Sequence, residues 1–162
     1  MKTLIIMRHA KSSWSDPGMR DIDRPLNGRG RKSAQAIGEW LSYGGFQPDL
    51  VLCSSARRTA QTWEHMELDA PIQFLPELYH AAPGAILSAV RNASGDCVLV
   101  LGHNPGIAYF AEMIVSDPPS HDRFDDYPTA ATLVAGFDGE WAALEPGKAI
   151  ARAFTVPRDL IE

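Results

Sequence analysis

Three places in the chain join an apolar run to side chains that could do chemistry. Leu4-Ile5-Ile6-Met7 stops at Arg8-His9. Asp49-Leu-Val-Leu-Cys53-Ser54 is followed by Arg57-Arg58, and Cys97-Val-Leu-Val-Leu-Gly102 stops at His103-Asn104-Pro105-Gly106. A neutral imidazole has a lone pair near pH 7 and can act as a nucleophile. A guanidinium is a planar fork that matches an edge of a phosphate with two parallel hydrogen bonds. None of the three turns carries a carboxylate. Two histidines and two or three arginines gathered in one place would suit a phosphoryl group, whose transfer depends mainly on positioning and neutralisation of charge.

Each apolar run reads as a short buried strand, and each is followed by a helix-like segment. Strands alternating with helices predict an α/β domain: a three-layer α/β/α sandwich around a mostly parallel central sheet. The three strand ends then point the same way, into the crevice where such sheets bind ligands. Between them, 12–26 is polar and holds Pro17, Gly18 and Pro25, so it reads as a long functional loop. Asn27 can cap a helix whose inner face is Ala34, Ile37, Gly38 and Leu41, ended by Gly44-Gly45. A second helix carries Ala60, Trp63 and Met66, a short strand spans 71–75, and Pro83 opens a helix with Ile86, Leu87 and Val90 inward. Pro105 opens another with Ile107, Ala111, Ile114 and Val115 on one stripe. Residues 116–128 read as an acidic surface loop. Beyond it, 130–137 and 150–156 read as a hairpin or edge strands, with turn signals at Asp138-Gly139 and Pro146-Gly147.

The chain has 162 residues, 45% hydrophobic and 22% charged, which predicts one globular domain over 1–162. A net charge of −5 disfavours nucleic acid and anionic membranes as partners. Arg20, Arg24, Arg29, Arg31 and Lys32 nevertheless crowd one region, a cationic mouth for an anionic substrate. No signal peptide and no apolar run of membrane length is visible. Cys53 and Cys97 fall in the buried strands as reduced core residues, which points to the cytoplasm. No short-spaced pair such as His-x-x-x-His occurs, and the arginines would repel a cation, so neither metal nor other cofactor is expected.

At these residues the chain resembles the histidine phosphatase superfamily. Arg8-His9-Ala10 is similar to its Arg-His-Gly signature, and Ser54-Ser55-Ala56-Arg57-Arg58-Thr59-Ala60-Gln61-Thr62 to its serine turn with Arg-x-x-Gln-Thr. Gly102-His103 is similar to its second histidine. The short SixA-type phosphohistidine phosphatase branch resembles the chain end to end, including Asp23-Arg24-Pro25-Leu26 with Gly30, Leu75-Pro76-Glu77-Leu78-Tyr79 and Pro128-Thr129-Ala130-Ala131. Ala10 departs from the usual glycine and should narrow the turn; Ser55 stands where proline is common.

The resemblance implies a hydrolase that works through a phosphohistidine on His9. Arg8 and Arg58 would hold the phosphoryl oxygens, Arg58 being preferred to Arg57 by its spacing to Gln61-Thr62. His103, in cationic form, would add a donor, and Glu77 is the candidate general acid. Lys11 and Ser12 either line the site or are solvated. His65 and His121 read as surface residues, and His80 as either structural or part of the site. The expected partner is a phosphorylated protein bearing phosphohistidine. The alternatives are a small phosphate ester, a mutase-like transferase, or a non-catalytic phosphate-binding module.

Overall fold

The computed structural model describes residues 1–161; Glu162 lies outside the described residues. Six strands form one sheet: β1 (Lys2–Arg8), β2 (Leu50–Ser54), β3 (Ile72–Leu75), β4 (Cys97–Gly102), β5 (Thr132–Phe137) and β6 (Ile150–Thr155). Their order is β3-β2-β4-β1-β5-β6. The pairs β1–β4, β2–β4 and β2–β3 are parallel, and β1–β5 and β5–β6 are antiparallel. The mostly parallel sheet read from the sequence is the one observed, with the late strands adding the antiparallel edge.

Alternation along the strands divides the core between the two faces of the sheet. Leu4, Ile6, Val98 and Val100 point to one face, where α3 (Pro83–Arg91) and α4 (Gly106–Ile114) cover them with Ile86, Val90, Phe110 and Ile114. Ile5, Met7, Leu99 and Leu101 point to the other, against α1 (Gly28–Tyr43) and α2 (Arg57–Met66) through Ala34, Ile37, Leu41 and Met66. A short α5 (Pro157–Leu160) follows β6. These three layers are the sandwich expected from the alternating strands and helices.

Capping sets where α1 begins. The Asn27 side chain accepts from the Gly30 backbone N–H at 2.8 Å, occupying one of the otherwise orphaned donors of the first turn. Gly30 lets that turn press on the backbone after His9, since a Cβ there would stand 2.0 Å from the Lys11 carbonyl oxygen.

The 116–128 segment is the largely exposed loop expected, but it sends two aromatic side chains into the core. Phe124 and Tyr127 are 3% and 0% exposed, and the Tyr127 hydroxyl donates to the Ile6 carbonyl at 2.6 Å. Its acidic residues hide two aromatic anchors, which composition alone could not reveal because Phe124 sits between Arg123 and Asp125 and Tyr127 follows Asp126.

Candidate active site

The carboxyl ends of β1, β2 and β4 bring His9, Arg58 and His103 together. His9 is 6% exposed, and its Nδ1 lies 2.7 Å from the Ala10 carbonyl oxygen. A carbonyl can only accept, so Nδ1 carries the proton and the neutral ring keeps its lone pair on Nε2. Burial lowers the His9 pKa to about 3, with the charges of Arg8, Arg58 and Arg24 acting in the same direction against the Ala10 bond. The ring is therefore neutral at pH 7.

The turn that presents His9 is fastened to α2. Ala10 N–H donates to Thr62 Oγ1 at 2.9 Å, and that hydroxyl donates in turn to the Arg58 carbonyl at 2.7 Å. Gln61 Oε1 accepts from the Leu26 N–H at 2.9 Å and pins the end of the 12–26 loop. The Arg-x-x-Gln-Thr spacing thus places two locks one residue apart on a single helix. Ala10 is fully buried and fits this turn.

Arg58 is 2% exposed, while Arg57 is exposed as expected for a solvated neighbour. Arg8 donates from Nη1 to the Tyr127 carbonyl at 3.3 Å, a carbonyl that also accepts from Asn104 Nδ2 at 3.0 Å. The ring centroids of His9 and His103 are 5.3 Å apart.

His103 corrects one expectation. Burial lowers its pKa to about 2, and the neighbouring Arg58 guanidinium acts in the same direction, against the Asp21 carboxylate. Its Nε2 lies 2.8 Å from Ser54 Oγ. It is neutral and not the cation anticipated, because burial disfavours its charged form and the Arg58 guanidinium adds to that.

A carboxylate missing from the sequence reading organises the rim. The Asp21 carboxylate accepts from Arg58 Nη2 at 3.0 Å, from Arg24 Nε at 3.1 Å and from the Tyr79 hydroxyl, and His80 Nε2 stands 3.3 Å away. Burial pushes the Asp21 carboxyl up, yet the bonds from Tyr79, Arg58 and Arg24 outweigh it and hold the group well below the usual carboxylate range. Tyr79 and His80 join the histidines, with ring centroids 5.4 Å from His103 in both cases. His80 adopts a left-handed backbone (φ 54°), a conformation uncommon for non-glycine residues and shared here with Glu67, Tyr127 and Ala130. The available signal was Asp21 three residues before Arg24, inside the arginine-rich stretch and beside Asp23.

The remaining candidates separate. Glu77 is exposed and makes no hydrogen bond or ion pair among the described residues. Ser12 is 6% exposed and its hydroxyl accepts from Arg24 Nη1 at 2.8 Å, so it holds the loop and does not face the pocket openly. Lys11 is exposed and faces a different cavity, with Arg29 and Lys32. The cationic mouth expected from Arg20 to Lys32 is thereby divided: Arg24 is buried under Trp14, its guanidinium 3.5 Å from the ring centroid. Among the described residues no group of three or more His, Cys, Asp or Glu could hold a metal ion.

An α/β sheet that ends in two imidazoles and two guanidiniums, one buried and one half-buried, defines a protein of phosphoryl-group chemistry. The sequence profile of the histidine phosphatase superfamily, branch 1, matches residues 4–86, and the chain belongs to that family, a family of phosphatases. An uncharacterised protein of Mycobacterium tuberculosis is 41% identical over 160 residues, covering 94% of this chain and 100% of its own. The structure assigned to phosphohistidine phosphatase SixA of Nakamurella multipartitia superposes with a TM-score of 0.84 at 32% identity, covering 96% of each chain. Phosphohistidine phosphatase SixA of Escherichia coli K12 is 29% identical over 125 residues, covering 72% of this chain and 76% of its own.

Proposed function

We propose that the protein is a metal-independent phosphatase that works through a phosphohistidine on His9 and removes phosphate from phosphohistidine on a protein. One observation carries the reading. Four buried side-chain polar atoms lack a partner among the described residues, and three of them are Arg8 Nε, Arg58 Nε and His103 Nδ1. Unsatisfied buried polar atoms are costly, and these three belong to the side chains that neighbour His9, which supports the binding of a polar group there. A phosphoryl group has the three oxygens to satisfy them.

In the proposed reaction His9 Nε2 attacks phosphorus while the bond to the leaving group breaks, and a proton goes to that leaving group. Water then attacks phospho-His9, gives its proton to solvent and releases phosphate. Arg8 and Arg58 neutralise the oxygens, and a neutral His103 gains its proton only as the dianion arrives. A protein-borne substrate is supported by the naming of the similar SixA proteins and by the exposed rim at His80 and Glu77. Two proton donors compete at that rim; His80, held toward His103, has better support than Glu77.

The same reading takes residues 1–162 as one domain, since all six strands share a sheet covered on both faces. It places the protein in the cytoplasm. Both thiols are free, and burial pushes them up to about 12, which suits a reducing compartment. No helix among the described residues is long and apolar enough to cross a membrane.

The test is trapping. Wild type and His9→Ala are incubated with a radiolabelled phosphohistidine protein and quenched in alkali. Alkali-stable, acid-labile label on wild type alone, with phosphate released, is the expected result. Hydrolysis of an aryl phosphate through His9 without such label would discard the protein substrate and keep the chemistry. Absence of any His9-dependent turnover would leave a phosphate-binding module.

A further inference from the structure

A cavity of about 1090 Å³ opens at the same edge of the sheet, beside the His9 pocket. Five cationic side chains line it, Lys11, Arg29, Lys32, Arg123 and Arg158, and no described lining residue is acidic. Arg58 and His103 follow β2 and β4, on one side of β1, whereas this cavity lies toward β5 and β6 on the other. Adjacent strands are about 5 Å apart, so the two sites are displaced by roughly 5–10 Å along the edge.

Folding gives no reason for this collection of charge. The chain carries a net charge of −5, and like charges brought together repel. Arg123 is paired with Asp126 at 2.9 Å, but Lys11, Arg29, Lys32 and Arg158 take part in no ion pair among the described residues. The first turn of α1 contributes Gly28 and Arg29 to the wall and holds no acidic residue, so its backbone dipole adds to the positive potential. Val156, Pro157 and Ile161 supply an apolar side to the same cavity.

We propose that this cavity binds a soluble small molecule bearing two or more phosphate groups, at a site separate from the His9 pocket. The cations come from four separated stretches of chain, and one phosphate can meet only about two guanidinium forks, so a single phosphate would leave most of them unengaged. The volume lies just above the usual range for small-molecule sites, about 300–1,000 Å³, and its concavity suits a compact ligand better than a flat protein face. The proposal does not rest on the role given to His9.

The experiment uses inorganic tripolyphosphate as the probe and titration calorimetry on the His9→Ala chain, which removes turnover. Three further variants are built on it: R29E/R158E, K32E and R58A, each checked by thermal melting. Arg29, Lys32 and Arg158 are exposed, so their reversal leaves the fold intact. The expected result is binding weakened at least about ten-fold by R29E/R158E, weakened by K32E, and changed less than about three-fold by R58A. Binding abolished by R58A but retained in R29E/R158E would assign the probe to the His9 pocket and overturn the proposal. Failure to bind at low salt would overturn it as well. Hexaglutamate binding as tightly as tripolyphosphate, with the same sensitivity to R29E/R158E, would replace it with a surface for an acidic protein.

Discussion

Arg58 directs both terminal nitrogens of its guanidinium at Asp21: Nη1 to the backbone carbonyl at 2.7 Å and Nη2 to the carboxylate at 3.0 Å. The pair closes 37 residues of chain and leaves Arg58 Nε as the guanidinium nitrogen without a partner among the described residues. The carboxylate orients the guanidinium and offsets its charge before any substrate arrives. Loss of one partner of a buried ion pair costs about 3–5 kcal/mol, and the 40% exposure of the Asp21 side chain reduces this to about 1–2 kcal/mol. Asp21→Asn should lower the melting temperature by several degrees, and orthophosphate should restore more of that loss in the variant than it adds to wild type. Equal shifts with phosphate in both proteins would remove Asp21 from the phosphate site.

The two depressed imidazoles make opposite predictions for activity and for stability. A nucleophile that stays neutral down to about pH 3 loses nothing to protonation between pH 7 and 5. The kcat/KM profile for an aryl phosphate should therefore lack the limb near pH 6.5 of an ordinary histidine. Stability behaves otherwise. His9 and His103 remain neutral in the fold while their unfolded counterparts take up protons below about 6.5. The unfolded state then binds more protons, so stability is fully present above pH 6.5 and declines as pH falls from there toward about 3. Each group contributes on the order of 1 kcal/mol per pH unit in that window. Denaturant melts at pH 7 and 5, beside rates at the same pH values, test both statements.

Substitution can separate the two proton donors at the rim. His80→Asn should lower kcat/KM for an alkyl phosphate by about 10²-fold, with a smaller loss on an aryl phosphate whose leaving group needs less help. Glu77→Gln should change either rate by less than about three-fold, because that carboxylate is exposed and makes no hydrogen bond or ion pair with a described residue of the site. The reverse ranking would return the role to Glu77.

A glycine on α4 ties the rim to the second histidine. A Cβ at Gly106 would lie 1.8 Å from the Ala81 carbonyl oxygen, so Gly106→Ala must push the 79–81 segment away. Overpacking of this kind costs about 1–3 kcal/mol. The variant should melt several degrees lower and lose activity in step with His80→Asn. Full activity in a chain that melts lower would show that the position of His80 is not needed.

The strands and their terminal residues were legible because burial leaves a local mark. Leu4 to Met7 and Val98 to Leu101 are unbroken apolar runs, and a run that stops at Arg8-His9 or Gly102-His103 marks where the sheet meets its crevice. The Asn27 cap and the inner stripe of α1 follow equally local rules. The 116–128 loop reads as surface and is one, but the burial of its Phe124 and Tyr127 is not legible among charged residues, and only the assembled core shows Tyr127 reaching Ile6, 121 residues away in sequence.

By itself the sequence determined the alternation of elements, the family, and the four residues Arg8, His9, Arg58 and His103 that meet at the sheet edge. Tertiary structure alone decided which of their charges exist and what surrounds them. Asp21 reaches Arg58, Tyr79 and His80 across separations of 37 to 59 residues, the neutrality of His103 depends on its burial beside the Arg58 guanidinium, and Lys11 turns toward a second cavity. The physical reason is range. Hydrophobic period and capping act between neighbours in sequence, whereas desolvation and charge act between neighbours in space, and folding decides which residues those are.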